Sequence, residues 1–282
     1  ASAGVAILLI ATFVLGVMRR LFGNCHAADR VLQVRGARDR RRMLVTRTVD
    51  RLDLPGAGQR SAVLGQPIAV DSFHTAFGSF ACLHAVERVP PPAAQAAGGS
   101  ARILFWNAER LKYLGPSTAM LAAVRADVLL LCEVDLGMAR SRNRHTIAEL
   151  ARSLGAGYVF GTEFVELDLG DARERIWHAG QENSAGLHGG GIVSALPLRR
   201  PALVRLETSG RWFDGMFGER RVGGRIAVLA EIEVGGRSVL LASAHYESHT
   251  GPADRLLQTR TMLDAIDAHG PGLPVLIGGD FN

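Results

Sequence analysis

Polar side chains recur directly after short apolar runs: Asn107 follows ILFW, Glu133 follows VLLLC, His245 follows VLLASA, and Asp280 and Asn282 close the stretch LPVLIGGDFN. Carboxylate, carboxamide and imidazole groups are the types that hold cations, take up protons and donate to anions. Where an apolar strand ends, such a group leaves the core while its backbone stays rigidly placed, and ligands gather there in α/β chains. Gly278 and Gly279 allow close backbone approach, and Asp280 and Asn282 share a face if extended geometry continues. A further candidate, His188, stands beside three glycines. Each has a plainer reading: Asn107 as a turn cap, Glu133 as a surface carboxylate, His245 as an interior histidine, His188 on a flexible loop, Asp280 in an Asx turn. Recurrence on separate strand ends favours a common site over these.

The elements that must position these groups begin after residue 100, where short apolar runs alternate with helical patterns, the signature of an α/β arrangement. ARILFWN and ADVLLLCEV read as strands around the helix PSTAMLAAVRA, opened by Pro116. HTIAELARSLGAG reads as a helix with a Gly stop, followed by the strands YVFGTEF, HGGGIVSALP and PALVRLE. RIAVLAEIEV and RSVLLASAHY flank Gly235-Gly236, a two-residue hairpin signal, so part of the sheet is antiparallel. A helix from about Pro252 to His269 leads into LPVLIGGDFN. The hairpin, and the lack of a G-x-G-x-x-G after any strand, argue against a plain dinucleotide-binding topology.

At 282 residues and 48% hydrophobic composition the chain can bury a large core in one or two domains. Cys25, Cys82 and Cys132 form no Cys-x-x-Cys pair, which speaks against a disulfide framework and a zinc ribbon. The net charge of +5 is local: residues 19–60 hold eleven Arg against four Asp, whereas residues 101–282 hold twenty basic against twenty-one acidic groups. That half is no basic nucleic-acid surface by charge count. Residues 1–20 carry the apolar run 4–18, followed by Arg19-Arg20; it is shorter than a usual span of about 20 residues but reads as a membrane anchor, with a buried helix as the alternative. The positive-inside tendency then puts the remainder in the cytoplasm. Residues 21–98 show a basic segment without sustained period and a Pro/Ala/Gly linker, PPPAAQAAGGS, which leaves 99–282 as the domain that carries chemistry.

FWNAERL, LLCEVD, GTEFVEL, HGGGIVSALPL, SAHYESHTG and IGGDFN occur in the order of the endonuclease/exonuclease/phosphatase superfamily, which the chain resembles from about residue 101 to 282. The resemblance implies an α/β fold, a four-layer α/β/β/α sandwich of two mixed sheets with helices outside. It implies divalent-metal-dependent hydrolysis of phosphoester bonds by in-line attack of an activated water. In that reading Glu133 is the principal ligand of Mg²⁺ (or Mn²⁺), and Asn107 contacts metal-bound water or phosphate. Asp280 orients or deprotonates the water, Asn282 donates to a phosphate oxygen, and His245 stabilises charge developing on the phosphoryl group. Glu247, Arg255 and Gln258 support them. His188 stands where many relatives have His-Gly-Asn-Ala, but Gly190 replaces that Asn. The family also carries a later Asp-His pair, so a chain ending at Asn282 reads as a fragment, with C-terminal strands missing and the site incomplete. The substrate is a nucleic acid, a phospholipid or a small phosphate ester. Near-neutral charge and the 4–18 run tilt the reading toward a membrane-associated hydrolase with a cytoplasmic catalytic domain, or otherwise a cytoplasmic one; no protein partner is evident. A noncatalytic, membrane-tethered binding module that keeps the fold is the alternative.

Overall fold

A computed structural model describes residues 43–282. The chain runs through strands β1 (Leu44–Val45) and β2 (Thr48–Val49), helices α1 (Ala57–Leu64) and α2 (Val70–Ser79), and strands β3 (Val86–Val89) and β4 (Ile103–Arg110). Helix α3 (Leu114–Val124), β5 (Val128–Leu136), α4 (Thr146–Ser153), β6 (Gly157–Glu166), α5 (Ala172–Trp177) and β7 (Leu187–Ser194) follow. The last part holds β8 (Arg199–Arg205), β9 (Arg221–Gly223), β10 (Ile226–Val234), β11 (Arg237–His245), α6 (Pro252–His269) and β12 (Val275–Asp280).

Why these apolar runs make two stacked sheets is visible residue by residue. In β5 the run is continuous because both faces are covered: Val128 and Leu130 point into one apolar cluster, Leu129 and Leu131 into another. The first cluster lies between the sheets, where Val128, Leu130, Val159 and Ile192 meet Leu203, Ile226, Val228 and Leu241. The second lies outside, under Val63, Phe73, Leu121 and Ile147 of helices α1 to α4. Strand β10 repeats the pattern, with Val228 and Ala230 inward and Ala227 and Leu229 outward against Met262 and Ile266 of α6. The result is a four-layer α/β/β/α sandwich.

Both sheets are mixed. One has the order β1-β8-β10-β11-β12, antiparallel except for the parallel pair β11/β12. The other has the order β2-β3-β6-β7-β5-β4, with β9 added on β6 and parallel pairs at β2/β3 and β4/β5. Gly235-Gly236 closes the β10/β11 hairpin in register Val234 to Arg237, both glycines at positive φ (56° and 73°).

Residues 44–89, without period in the sequence, are ordered parts of the sandwich: β1 edges one sheet, β2 and β3 extend the other, and α1 and α2 cover its outer face. The Pro/Ala/Gly stretch is tied in as well, through the bridge Ala97 to Val234. The apolar run 4–18 and the Arg-rich segment up to residue 42 lie outside the described residues. Among the described residues, no helix is long and apolar enough to cross a membrane.

Candidate metal and phosphoester site

The site forms where two parallel pairs, β4/β5 in one sheet and β11/β12 in the other, deliver their carboxyl ends to one hollow. On β11/β12, His245 stands opposite Asp280 in register. Gly279 permits the pairing, because a Cβ there would lie 2.4 Å from the Ala244 carbonyl oxygen. In the other sheet the placement differs from the sequence expectation: Asn107 and Glu133 sit inside their strands, not after them. What turns them toward the hollow is a row of β-bulges at one level. Cys132 and Glu133 face a single residue between the pairs Leu131/Gly191 and Val134/Gly189, and Glu133 adopts φ 53°. On β6 the register skips Glu163, between Thr162/Gly189 and Phe164/His188. On β4 it shifts between Asn107 and Arg110. A bulge adds one residue to a strand and re-aims its side chain, here on three strands of one sheet.

The Asn107 carboxamide nitrogen donates to Glu133 Oε1 at 3.1 Å and to Asp280 Oδ2 at 2.8 Å, so one group joins carboxylates that are 147 positions apart in sequence. Glu133, His188, His245, Asp280 and Asn282 line one cavity of about 210 Å³, together with Arg110 and Arg225. Asn282 reaches it with its carboxamide nitrogen donating to the Tyr246 carbonyl at 2.9 Å and its backbone nitrogen donating to Asp280 Oδ1 at 3.1 Å. His188 is no loop residue: it lies buried in the central strand β7, its Nδ1 2.9 Å from Asp135 Oδ1.

Each chemical group is held by a charge behind it. His245 Nδ1 lies 3.1 Å from Glu163 Oε2, and its Nε2 lies 4.0 Å from Glu133 Oε1. Glu163 in turn accepts from Arg225 at 2.6 Å, and Arg225 also donates to Glu247 at 3.1 Å. Burial pushes the Glu163 carboxyl up, but His245 and Arg225 outweigh it and leave it well below the ordinary range. Glu133 is likewise raised by burial and lowered more by His188, Arg110 and His245, so it stays ionised, with Arg110 Nη1 at 3.5 Å. Behind His188, Arg140 makes two 2.9 Å bonds to Asp135 and one of 3.0 Å to Glu174. Glu247, Gln258 and Arg255 brace the chain after β11: the Glu247 backbone nitrogen donates to Gln258 at 3.1 Å, and Arg255 donates to the Glu247 and Thr250 carbonyls.

The donor chemistry fits a hard divalent ion: Glu133 and Asp280 offer carboxylate oxygens within reach of the one Asn107 nitrogen and carry more negative charge than Arg110 alone balances, while the Asn107 carboxamide oxygen accepts from the Glu109 backbone nitrogen at 3.2 Å. A second acidic group, Asp171, Glu174 and Glu219, has ligand atoms within 4.8 Å of one another. The local fold already uses it. Asp171 and Glu174 form the capping box of α5, Glu174 pairs with Arg140, and Glu219 pairs with Arg221. Sequence reasoning missed Arg110, Glu163, Arg225, Asp135 and Arg140. A signal was present for Glu163, a charged residue inside the strand run YVFGTEF that a plain core strand would not carry.

Solved structures similar to this chain match it at low identity. An endonuclease/exonuclease/phosphatase from Beutenbergia cavernae is 21% identical with a TM-score of 0.47, over 64% of this chain and 47% of its own length. The human Nocturnin catalytic domain with bound sulfate anion is 20% identical with a TM-score of 0.45, over 70% and 67%. TDP2 from C. elegans is 19% identical with a TM-score of 0.40, over 64% and 48%. The chain thus spans about half the length of the first and third of these. Among curated proteins, none matches it. The model of the Endonuclease/Exonuclease/phosphatase family matches residues 104–282, the stretch that holds the bulged strands and all six candidate side chains; the chain belongs to that family, named for hydrolases of phosphoester bonds.

Proposed function

We propose that the protein is a hydrolase of phosphoester bonds that works with a divalent metal, Mg²⁺ or Mn²⁺, by in-line attack of an activated water. The observation that carries the reading is the convergence of Glu133, Asp280 and His245 on one hollow, with Asn107 joining the two carboxylates. Glu133 would hold the ion through its carboxylate, and Asn107 would join it through the carboxamide oxygen on turning that oxygen in from the Glu109 backbone nitrogen. The bound ion supplies Lewis-acid polarisation of a phosphoryl oxygen. Asp280, its Oδ1 already accepting from the Asn282 backbone, orients the attacking water and takes its proton through the carboxylate. His245, fixed through Nδ1 by Glu163, presents Nε2 to the charge that grows on the phosphoryl oxygens. Asn282 has one N–H on the Tyr246 carbonyl and the other left to meet a phosphate oxygen. His188, paired with Asp135, lines the substrate side of the cavity and keeps Glu133 ionised.

The substrate class within the phosphoesters is a nucleic acid, a phospholipid or a small phosphate ester. The test is a hydrolysis panel with one member of each class, run in Mg²⁺ and in EDTA. Metal-dependent release of product from at least one member is expected. Hydrolysis unaffected by EDTA refutes the metal reading, and absence of hydrolysis from every member refutes the enzyme.

A further inference from the structure

Three arginines line the cavity, and they are held in different ways. Arg225 donates to Glu163 at 2.6 Å and to Glu247 at 3.1 Å, and Arg221 donates to Glu166 at 2.9 Å. Arg110 makes no contact of that quality. Its Nη1 lies 3.5 Å from Glu133 Oε2 and its Nε 3.7 Å from Glu174 Oε1, both longer than an ordinary N–H···O bond, and Nε is buried without a hydrogen-bond partner. A guanidinium enclosed to this degree normally fills its donors. Of the three, Arg110 is the cation free to move.

Its backbone is held more firmly than its side chain. Glu109, Arg110 and Leu111 take positive φ in succession (45°, 71° and 51°), a conformation that residues other than glycine keep only where the surroundings impose it. Both ends of the turn impose it. Leu111 is buried in the outer core and its backbone nitrogen donates to the Ala108 carbonyl at 2.9 Å, while the Glu109 backbone nitrogen donates to the Asn107 carboxamide oxygen at 3.2 Å. The turn presents Arg110 to Glu133 on the neighbouring strand, and the last bond to the carboxylate is left unmade.

The two oxygens of Glu133 have different company. Oε1 accepts from Asn107 at 3.1 Å and faces His245 Nε2 at 4.0 Å. Among the described residues, Arg110 alone pairs with Oε2. A divalent ion on Glu133 brings a second positive charge to the carboxylate that Arg110 already faces, and like charges this close in a partly buried site repel. Ion and guanidinium therefore compete for one group. The guanidinium has a second seat: Glu174 Oε1 makes no short bond and has Arg110 and Lys112 each at 3.7 Å, while Oε2 of the same residue already accepts from Arg140 at 3.0 Å and from the Asp171 backbone at 3.3 Å. Turning the Asn107 oxygen toward an ion also frees the Glu109 nitrogen and so loosens the turn that carries Arg110. We propose that Arg110 is a positioning residue, a built-in counter-charge that keeps Glu133 aimed and yields it to the divalent ion by moving toward Glu174, so that Arg110 sets the affinity of the site for the metal. This rests on the metal reading above and adds the residue that tunes it.

Isothermal titration with Mn²⁺ alone, without any phosphoester, reads this affinity in the wild type, Arg110→Asn, Arg110→Met and Lys112→Gln, each checked for cooperative unfolding. Asparagine tolerates positive φ, so Arg110→Asn keeps the turn and loses the charge. Both Arg110 variants are expected to bind Mn²⁺ about three- to tenfold more tightly than the wild type. Lys112→Gln removes a like charge from Glu174 and none from Glu133, and should stay within about twofold. Glu174→Gln takes away the second seat, so it should weaken binding about threefold or more when Arg110 is present and less than about twofold beside Arg110→Asn. Affinity unchanged or weaker in both Arg110 variants, equal tightening by Lys112→Gln, or a Glu174→Gln loss that is the same with and without Arg110 overturns the role of Arg110 and leaves the metal reading standing. Mn²⁺ binding that Glu133→Gln does not diminish, or no binding by the wild type and every variant, overturns the metal reading itself.

Discussion

Arg140→Met removes the guanidinium on which the buried charges behind His188 depend. The Arg140 and Asp135 side chains are both 0% exposed and share two bonds of 2.9 Å; Glu174 and Glu166 approach the same guanidinium at 3.0 and 3.6 Å. Methionine keeps much of the volume and none of the charge, so Asp135 is left with His188 and without its main cation. Breaking a buried pair from one side costs about 3–5 kcal/mol, a large part of the roughly 5–15 kcal/mol that holds a domain together. At about 2–4 °C per kcal/mol for a chain of this size, Tm falls by roughly 6–20 °C. The pH dependence fixes the cause. Arg140 and His188, against burial, hold Asp135 well below its usual range, so in the wild type this stabilisation is present above the unfolded value of about 3.9 and lost as pH falls through the lower folded value. Without Arg140 burial dominates and Asp135 titrates higher, so the deficit of the mutant shrinks on acidification. Thermal unfolding followed by circular dichroism at neutral and mildly acid pH reads both effects, and Arg140→Met/Asp135→Leu should regain part of the loss. A Tm within about 2 °C of wild type at neutral pH, or a deficit that grows on acidification, refutes the reasoning.

Glu163→Gln removes the carboxylate that fixes His245 Nδ1 at 3.1 Å; turnover should fall by about 10–100-fold with the fold retained, and steady-state kinetics with unchanged turnover contradicts the positioning role. Gly161→Ala places a Cβ 2.7 Å from Leu203 Cδ1 across the sheets and should cost about 1–3 kcal/mol in chemical denaturation; a neutral result means that the sheets yield at this point. Glu87 accepts from His145, Tyr158 and the Leu52 backbone, and these bonds, against burial, hold its carboxyl low. Its contribution is therefore present above about pH 4.3 and lost as pH falls through the folded value, so Glu87→Gln should flatten this part of the acid-unfolding curve, and an identical curve speaks against it.

The elements after residue 100 were legible because their periods are long and their punctuation is strong. Pro252 opens α6, which ends at His269 as the sequence suggests, and Gly235-Gly236 makes the hairpin. Strands β1 and β2 were not legible: each has two residues, too few to show a period, and pairing with β8 and β3 makes them strands. At the site, residue types gave Asn107, Glu133, His245 and Asp280, since polar groups beside apolar runs stand out. The bulges that aim Glu133 and Glu163 left no local mark, because they arise from register between strands distant in sequence. Arg140, Arg225 and Asp135 look like ordinary surface charges in the sequence; only the tertiary fold brings opposite charges together and buries them.

Turnover of Glu133→Gln, Asp280→Asn and the double variant in saturating Mg²⁺, each checked for wild-type-like unfolding, tests the shared centre most directly. If both carboxylates serve one ion and one water, each single variant loses at least about 100-fold and the double variant little more than the worse single. Turnover unchanged in either single variant, or two losses that multiply in full in the double, contradicts a common centre.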